Sequence, residues 1–321
     1  TDRPEAVAQA MARMLDGEVR TAFLVEHLTH QPTHAEIYAQ LVDDLSRRDL
    51  DRLMRLTVEL IGEAPQRADQ LVDALMAGHA KVPALSESFE RLAAANRVSE
   101  VGQFVRGMLD MESGDLEAAE QAFTRSLDRN PDFAPAQVAS MELLIARGRA
   151  GEVLQLSQAY GDDAPAQIRY LIARANQSVG QHATAINLLN RLIHQYPSNP
   201  DYLVAAAESD VAMRNFNEAE QRLVKAISLD PQGESAYSSL FDIYEVHQPD
   251  VNKYRRLLAT ARKTIPNSRV TRLKTARLYA AVGETARAEA LLRVVVADYP
   301  EDADALQEFT GLLVRAERWD E

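Results

Sequence analysis

The sequence predicts an all-α chain, an α-solenoid of about nine stacked helix–turn–helix repeats that ends in a single helix. Three observations lead there. Prolines recur on a beat: Pro131, Pro165, Pro197, Pro231, Pro266 and Pro300 lie 34, 32, 34, 35 and 34 residues apart, and Pro32 and Pro65 extend the ladder backwards. Proline cannot continue a helix interior, so each rung marks a boundary. Small residues recur twelve apart, as Gly107 with Ala119, Ala173 with Ala185, Ala207 with Ala219 and Ala276 with Ala288. A hydrogen or methyl at these places lets two helix axes approach without leaving a void. The text also repeats. Gly114-Asp115-Leu116-Glu117-Ala118-Ala119 leads to Asn130-Pro131, Gly180-Gln181-His182-Ala183-Thr184-Ala185 to Tyr196-Pro197, and Gly283-Glu284-Thr285-Ala286-Arg287-Ala288 to Tyr299-Pro300.

Taken in order, residues 1–98 keep only the period, and helical segments are drawn there at about 4–15, 18–29, 33–46, 49–61, 66–78 and 83–95. Residues 99–300 carry the recognisable repeats. Thr33 with Glu36 and Asn215 with Glu218 have the spacing of capping boxes, in which side chains satisfy orphan backbone donors. Val153 and Tyr254 stand where the second small residue is expected, and Pro249 interrupts the turn between two helices. Residues 301–321 read as the first helix of a further repeat, over 302–316. Trp319 then aligns with Phe216 and Leu116, so the sequence is expected to belong to a longer array.

This combination of period, small residues and closing proline resembles the tetratricopeptide repeat. The resemblance implies a right-handed solenoid with a groove lined by first helices. Carried over by register, the groove positions are Phe104, Met108 and Met111, then Val138, Glu142 and Ile145, then Tyr170, Arg174 and Gln177, then Val204, Glu208 and Val211. In the unit closing at Pro131 the same register assigns Gln103, Arg106 and Asp110 to buried positions. The apolar residues are instead Val101, Phe104, Val105, Met108, Leu109 and Met111, which predicts a rotated helix or an apolar groove wall. Such a strip suits a partner helix or an extended peptide, with flexible Met adapting to shape. Lys/Asn capture of a chaperone-tail carboxylate is disfavoured, because Tyr170, Arg174, Asp201 and Ala205 occupy the matching places. The implied function is a non-enzymatic protein-binding scaffold. The sequence is similar in character to large bacterial repeat proteins that organise exopolysaccharide export across the envelope, which favours the periplasm over the cytoplasm. A regulatory or targeting arm of a larger enzyme is the alternative, and oligomeric state is left open.

Composition agrees with this class. The 35 basic and 48 acidic side chains give a net charge of −13, against a nucleic-acid binder. The 46% hydrophobic and 26% charged residues are ordinary for a globular chain. Zero cysteines remove disulfides, thiolate nucleophiles and Cys-based metal sites. Basic side chains are overwhelmingly Arg, an association with GC-rich bacterial genes. No apolar run approaches the ~20 residues needed to span a bilayer, so no membrane insertion is expected. No phosphate loop, G-x-S-x-G elbow or H-E-x-x-H pair occurs, so no cofactor and no catalytic set is assigned. His27, His30 and His34 cluster around Pro32 as weak metal candidates; the competing reading is imidazoles meeting the negative end of a helix. Pairs such as Asp43-Asp44, Asp162-Asp163 and Asp302 with Asp304 read as solvated turns rather than calcium loops.

Overall fold

A computed structural model describes residues 8, 11–12, 15, 17–30, 35–78, 82–95, 99–161 and 164–315. Among these residues there are eighteen α-helices and no strand. Two compact units emerge, residues 1–171 and 172–321. The first holds α1 (Gly17–His30), α2 (Ala35–Leu45), α3 (Leu50–Glu63), α4 (Ala68–Met76), α5 (Val82–Ala95), α6 (Glu100–Glu112), α7 (Leu116–Arg129), α8 (Ala134–Ala146) and α9 (Ala150–Leu156). Helix α10 (Ala166–Ser178) contains the boundary. The second holds α11 (His182–Gln195), α12 (Pro200–Ala212), α13 (Phe216–Leu229), α14 (Glu234–Asp242), α15 (Val251–Thr264), α16 (Arg269–Ala281), α17 (Thr285–Asp298) and α18 (Ala303–Arg315). Of the expected helix at 4–15 only residues 8, 11, 12 and 15 are described, the first three of them helical; Thr33 of the first capping box and Trp319 fall outside the described residues.

One apolar core fills the first unit from Leu24 and Leu28 of α1 to Leu143 of α8, taking in Leu85 and Phe89 of α5 and Val101 and Phe104 of α6. It shows no break at residue 98. In the second unit one cluster gathers α12 to α15 around Leu223, Tyr237 and Phe241, and another gathers α16 to α18 around Leu273, Leu292 and Leu312. The small residues sit where the helix pairs meet: Ala119, Ala173, Ala185, Ala207, Ala219, Ala276 and Ala288 are all fully buried.

Left-handed residues close five of the helix-to-helix turns. Gly114, Gly148, Gly180 and Gly283 take left-handed φ values of 83°, 73°, 78° and 81° just after a first helix. Only glycine enters that region without a steric penalty. Asp115 N–H then donates to the Asp110 carbonyl at 2.9 Å, and Asn215 N–H donates to Asp210 in the same way at 2.8 Å. In this second case the left-handed residue is Arg214, at φ 62°.

The capping box expected at Asn215 and Glu218 does not form. Asn215 accepts no side-chain bond from the helix, and its turn is closed by the backbone alone. Side-chain caps come instead from Asp49, Ser99, Asp115, Asn199, Asp250 and Ser268. At Pro249 the helix α14 runs into a π-helical turn, Ile243–His247, and Gln248 N–H reaches back to the Ile243 carbonyl at 2.7 Å. This turn absorbs the one surplus residue of the 35-residue spacing between Pro231 and Pro266.

Candidate functional site

The first helices carry the residues that the sequence placed in a groove, and burial divides them. Phe104 is wholly buried, with its ring 6.2 Å from Phe123 and edge-on to Phe133 at 5.8 Å. Val138 and Val204 are buried as well. These three belong to packing between helices and present nothing to a partner, which corrects the sequence assignment. The physical reason is shape: α6 lies against α3, α5, α7 and α8, so its apolar residues are enclosed on several sides at once. Met108 and Met111 are only partly buried against the core, Tyr170 is half-buried and Glu142 is exposed. Asp110 is buried as the register requires, and its carboxylate accepts two bonds from Arg106 Nε–H at 2.8 and 2.9 Å. Arg106 also pairs with Glu90.

Electrostatics separate the two units further. In the second unit the first-helix charges pair with one another. Arg174 bonds Glu208 of the next repeat. Lys274, buried beneath the Phe241 ring, reaches Asp242 and Glu245. Arg277 bonds Glu308 at 2.8 Å and lies 3.3 Å from Glu245. Internal ion pairs therefore link α10 to α12, and α14 with its following turn to α16 and on to α18, within residues 172–321.

In the first unit Asp110 has Arg106, but three other carboxylates lack such counterparts. Glu142 on α8 is held above the ordinary carboxylate range by crowding of the surrounding protein and by the negative charge of Asp69 on α4. Asp69 is itself raised, first by desolvation and then by Asp73, against a hydrogen bond from the Gln167 side chain. Among the described residues none of Asp69, Asp73 and Glu142 has a cationic partner. The result is an acidic face formed by α4 and α8. Sequence reasoning missed Asp69 and Asp73 because residues 1–98 lack the small-residue register that would have aligned α4 with the later first helices.

Of the three histidines, His27 stacks on Phe23 with ring centroids 6.4 Å apart, the His30 side chain is not described, and His34 lies outside the described residues. Among the described residues no group of three His, Asp, Glu or Cys side chains converges as a metal site. No helix among them is long and apolar enough to cross a membrane.

Known proteins carry the same architecture. Family models described as tetratricopeptide repeats match residues 110–176, 178–240 and 271–302, together just over half of the chain. A curated relative, the Protein CTR9 homolog of Arabidopsis thaliana, is 28% identical over 141 residues, which is 42% of this chain and 13% of that protein. The chain thus spans a small part of that relative's length. Among solved structures, the APC/C hetero-tetramer Cut9–Hcn1 matches with a TM-score of 0.56 at 13% identity, over 92% of this chain and 59% of that one. A tetratricopeptide repeat protein from Parabacteroides merdae matches with a TM-score of 0.56 at 14% identity, over 80% of this chain and 98% of that one. At these identities the structural likeness concerns the fold.

Proposed function

The chain belongs to the tetratricopeptide repeat family, and from that premise we propose that it is a non-enzymatic scaffold gripping a cationic segment of a partner protein on the first helices of residues 1–171. The observation that supports this reading is the uncompensated face of Asp69, Asp73 and Glu142. A basic partner would relieve the mutual repulsion of these carboxylates, while Met108, Met111 and Tyr170 supply adaptable apolar contact. The internal pairs in the second unit argue for the other role of a scaffold element, rigid spacing, because a partner's charges would have to displace bonds already made.

A multi-protein assembly is the proposed setting. Exopolysaccharide secretion across a bacterial envelope is the version carried by sequence resemblance alone. The test is capture on the immobilised chain from its native lysate, with Asp69→Asn/Asp73→Asn/Glu142→Gln as comparison. The reading requires at least one protein that the wild type retains, that elutes as salt rises, and that the triple variant loses. Identical retention by both would remove the acidic face from consideration.

A further inference from the structure

We propose that the cavity between α15, α16 and α17 binds a phosphate monoester. It measures about 410 Å³, within the range of sites for small ligands. Three arginines line it, Arg262, Arg272 and Arg287, and no carboxylate does. That is a local inversion in a chain of net charge −13.

Comparison within the molecule sharpens the point. Two other cavities lie against second helices in the same way, and each contains its own acid. In the cavity beside α7, Glu120 bonds Arg147 and Arg149. In the cavity beside α13, Glu220 takes the Lys253 ammonium at 2.8 Å and the Tyr244 hydroxyl at 2.9 Å. Both acids follow the small residue of a second helix, Ala119 and Ala219. In α15 the position of that small residue is held by Tyr254, and the acid's place falls to Arg255, which is exposed and does not line the cavity. No acid stands at that position here, and the two carboxylates that pair with cavity arginines, Asp298 and Glu284, lie outside the lining.

The donors present have the chemistry of an oxyanion site. Arg262 is exposed and makes no side-chain hydrogen bond or ion pair among the described residues. Arg287 lies over the Tyr279 ring, 5.7 Å from its centroid, and its bond to Glu284 is an exposed contact between residues three apart, which water and salt weaken. Arg272 is steered by Asp298 at 2.6 Å and retains further guanidinium donors. Thr275 is only 6% exposed, yet its Oγ1 has no hydrogen-bond partner. A buried hydroxyl is ordinarily satisfied, and an oxyanion in the cavity would accept the hydrogen bond that Thr275 Oγ1–H donates. Three guanidinium groups and a hydroxyl suit the three terminal oxygens of a phosphate monoester better than the two of a carboxylate. Leu291 and Pro266 add apolar wall for the carbon side of the ester.

The test is calorimetric and ³¹P NMR titration of the whole chain with inorganic phosphate, O-phospho-L-serine and a phosphoserine peptide, at constant ionic strength, with acetate as the carboxylate control. Saturable binding of a phosphate probe is expected. Thr275→Val, which keeps the shape, should weaken it several-fold, and Arg262→Gln by about tenfold, the effect of one charge-assisted bond. Circular dichroism of each variant should match the wild type. A phosphoserine peptide binding more tightly than the free ion assigns the source to a partner protein; the reverse order assigns it to free phosphate. Absence of saturation by every phosphate probe, equal response to acetate, or unchanged affinity in both Arg262→Gln and Thr275→Val would overturn the proposal.

Discussion

Gly107 and Phe123 face each other across the two helices of one repeat, so closely that a Cβ on Gly107 would lie 2.4 Å from Phe123 Cε1. Gly107→Ala gains helix propensity of about 1 kcal/mol but must displace a buried ring. Urea denaturation should show a net loss of about 1–2 kcal/mol. Phe123→Leu in the same chain should return part of it, since the clash is with the ring itself. Gly151→Ala, with nothing within 4 Å of the new Cβ, is the control and should not destabilise.

Arg214 bears a left-handed backbone that glycine bears at the equivalent turns. Arg214→Gly should therefore stabilise the chain by about 0.5–1 kcal/mol, read from the urea midpoint with an unchanged slope. No gain would mean that the turn is held by contacts of the arginine stem.

Asp210 keeps 5% of its side-chain surface exposed and accepts a 2.8 Å bond from Arg222 Nε–H, the arginine being 22% exposed. Arg222→Met leaves that carboxylate buried without its cation, at a cost of about 1–3 kcal/mol. Adding Asp210→Asn should recover much of the loss. An additive double variant would show that the two groups act separately.

Protonation of Glu142 and Asp69 supplies a prediction with a definite sign. Both carboxyls are raised in the folded chain, so between their ordinary and raised pKa values the folded state holds more protons than the unfolded state. Stability must then fall as pH rises through that window, and the deficit persists above it. Glu142→Gln should flatten this part of the profile and raise stability at neutral pH. Because the side chain remains exposed, solvent screening limits the gain to a few tenths of a kcal/mol. Thermal melts across acidic to neutral pH measure it, and a gain at low pH alone would contradict the assigned cause.

Much of the architecture was legible because helix ends and helix crossings carry residue-type demands. The segments drawn at 18–29, 49–61 and 83–95 correspond to α1, α3 and α5 within a few residues, since proline and apolar period mark them independently of family. The groove was less legible. Register states which way Phe104 points relative to its own helix pair, but its burial depends on Phe133, which lies in the next repeat. Likewise nothing local to Glu142 announces Asp69, more than seventy residues away and in the stretch where the repeat signature fades. Of the three residues that register placed inside, only Asp110 is buried, with Arg106 explaining how a carboxylate tolerates that place, while Gln103 and Arg106 stay partly exposed.

The π-turn at Ile243–His247 shows how a periodic chain tolerates a copying error. One added residue is swallowed inside a single joint, so the helices after it resume their phase and none of their contacts slips onto a wrong face. That joint is accordingly the natural splice point of the second unit: a short foreign insert there would be carried as a bulge, whereas the same insert one helix later would scramble everything downstream.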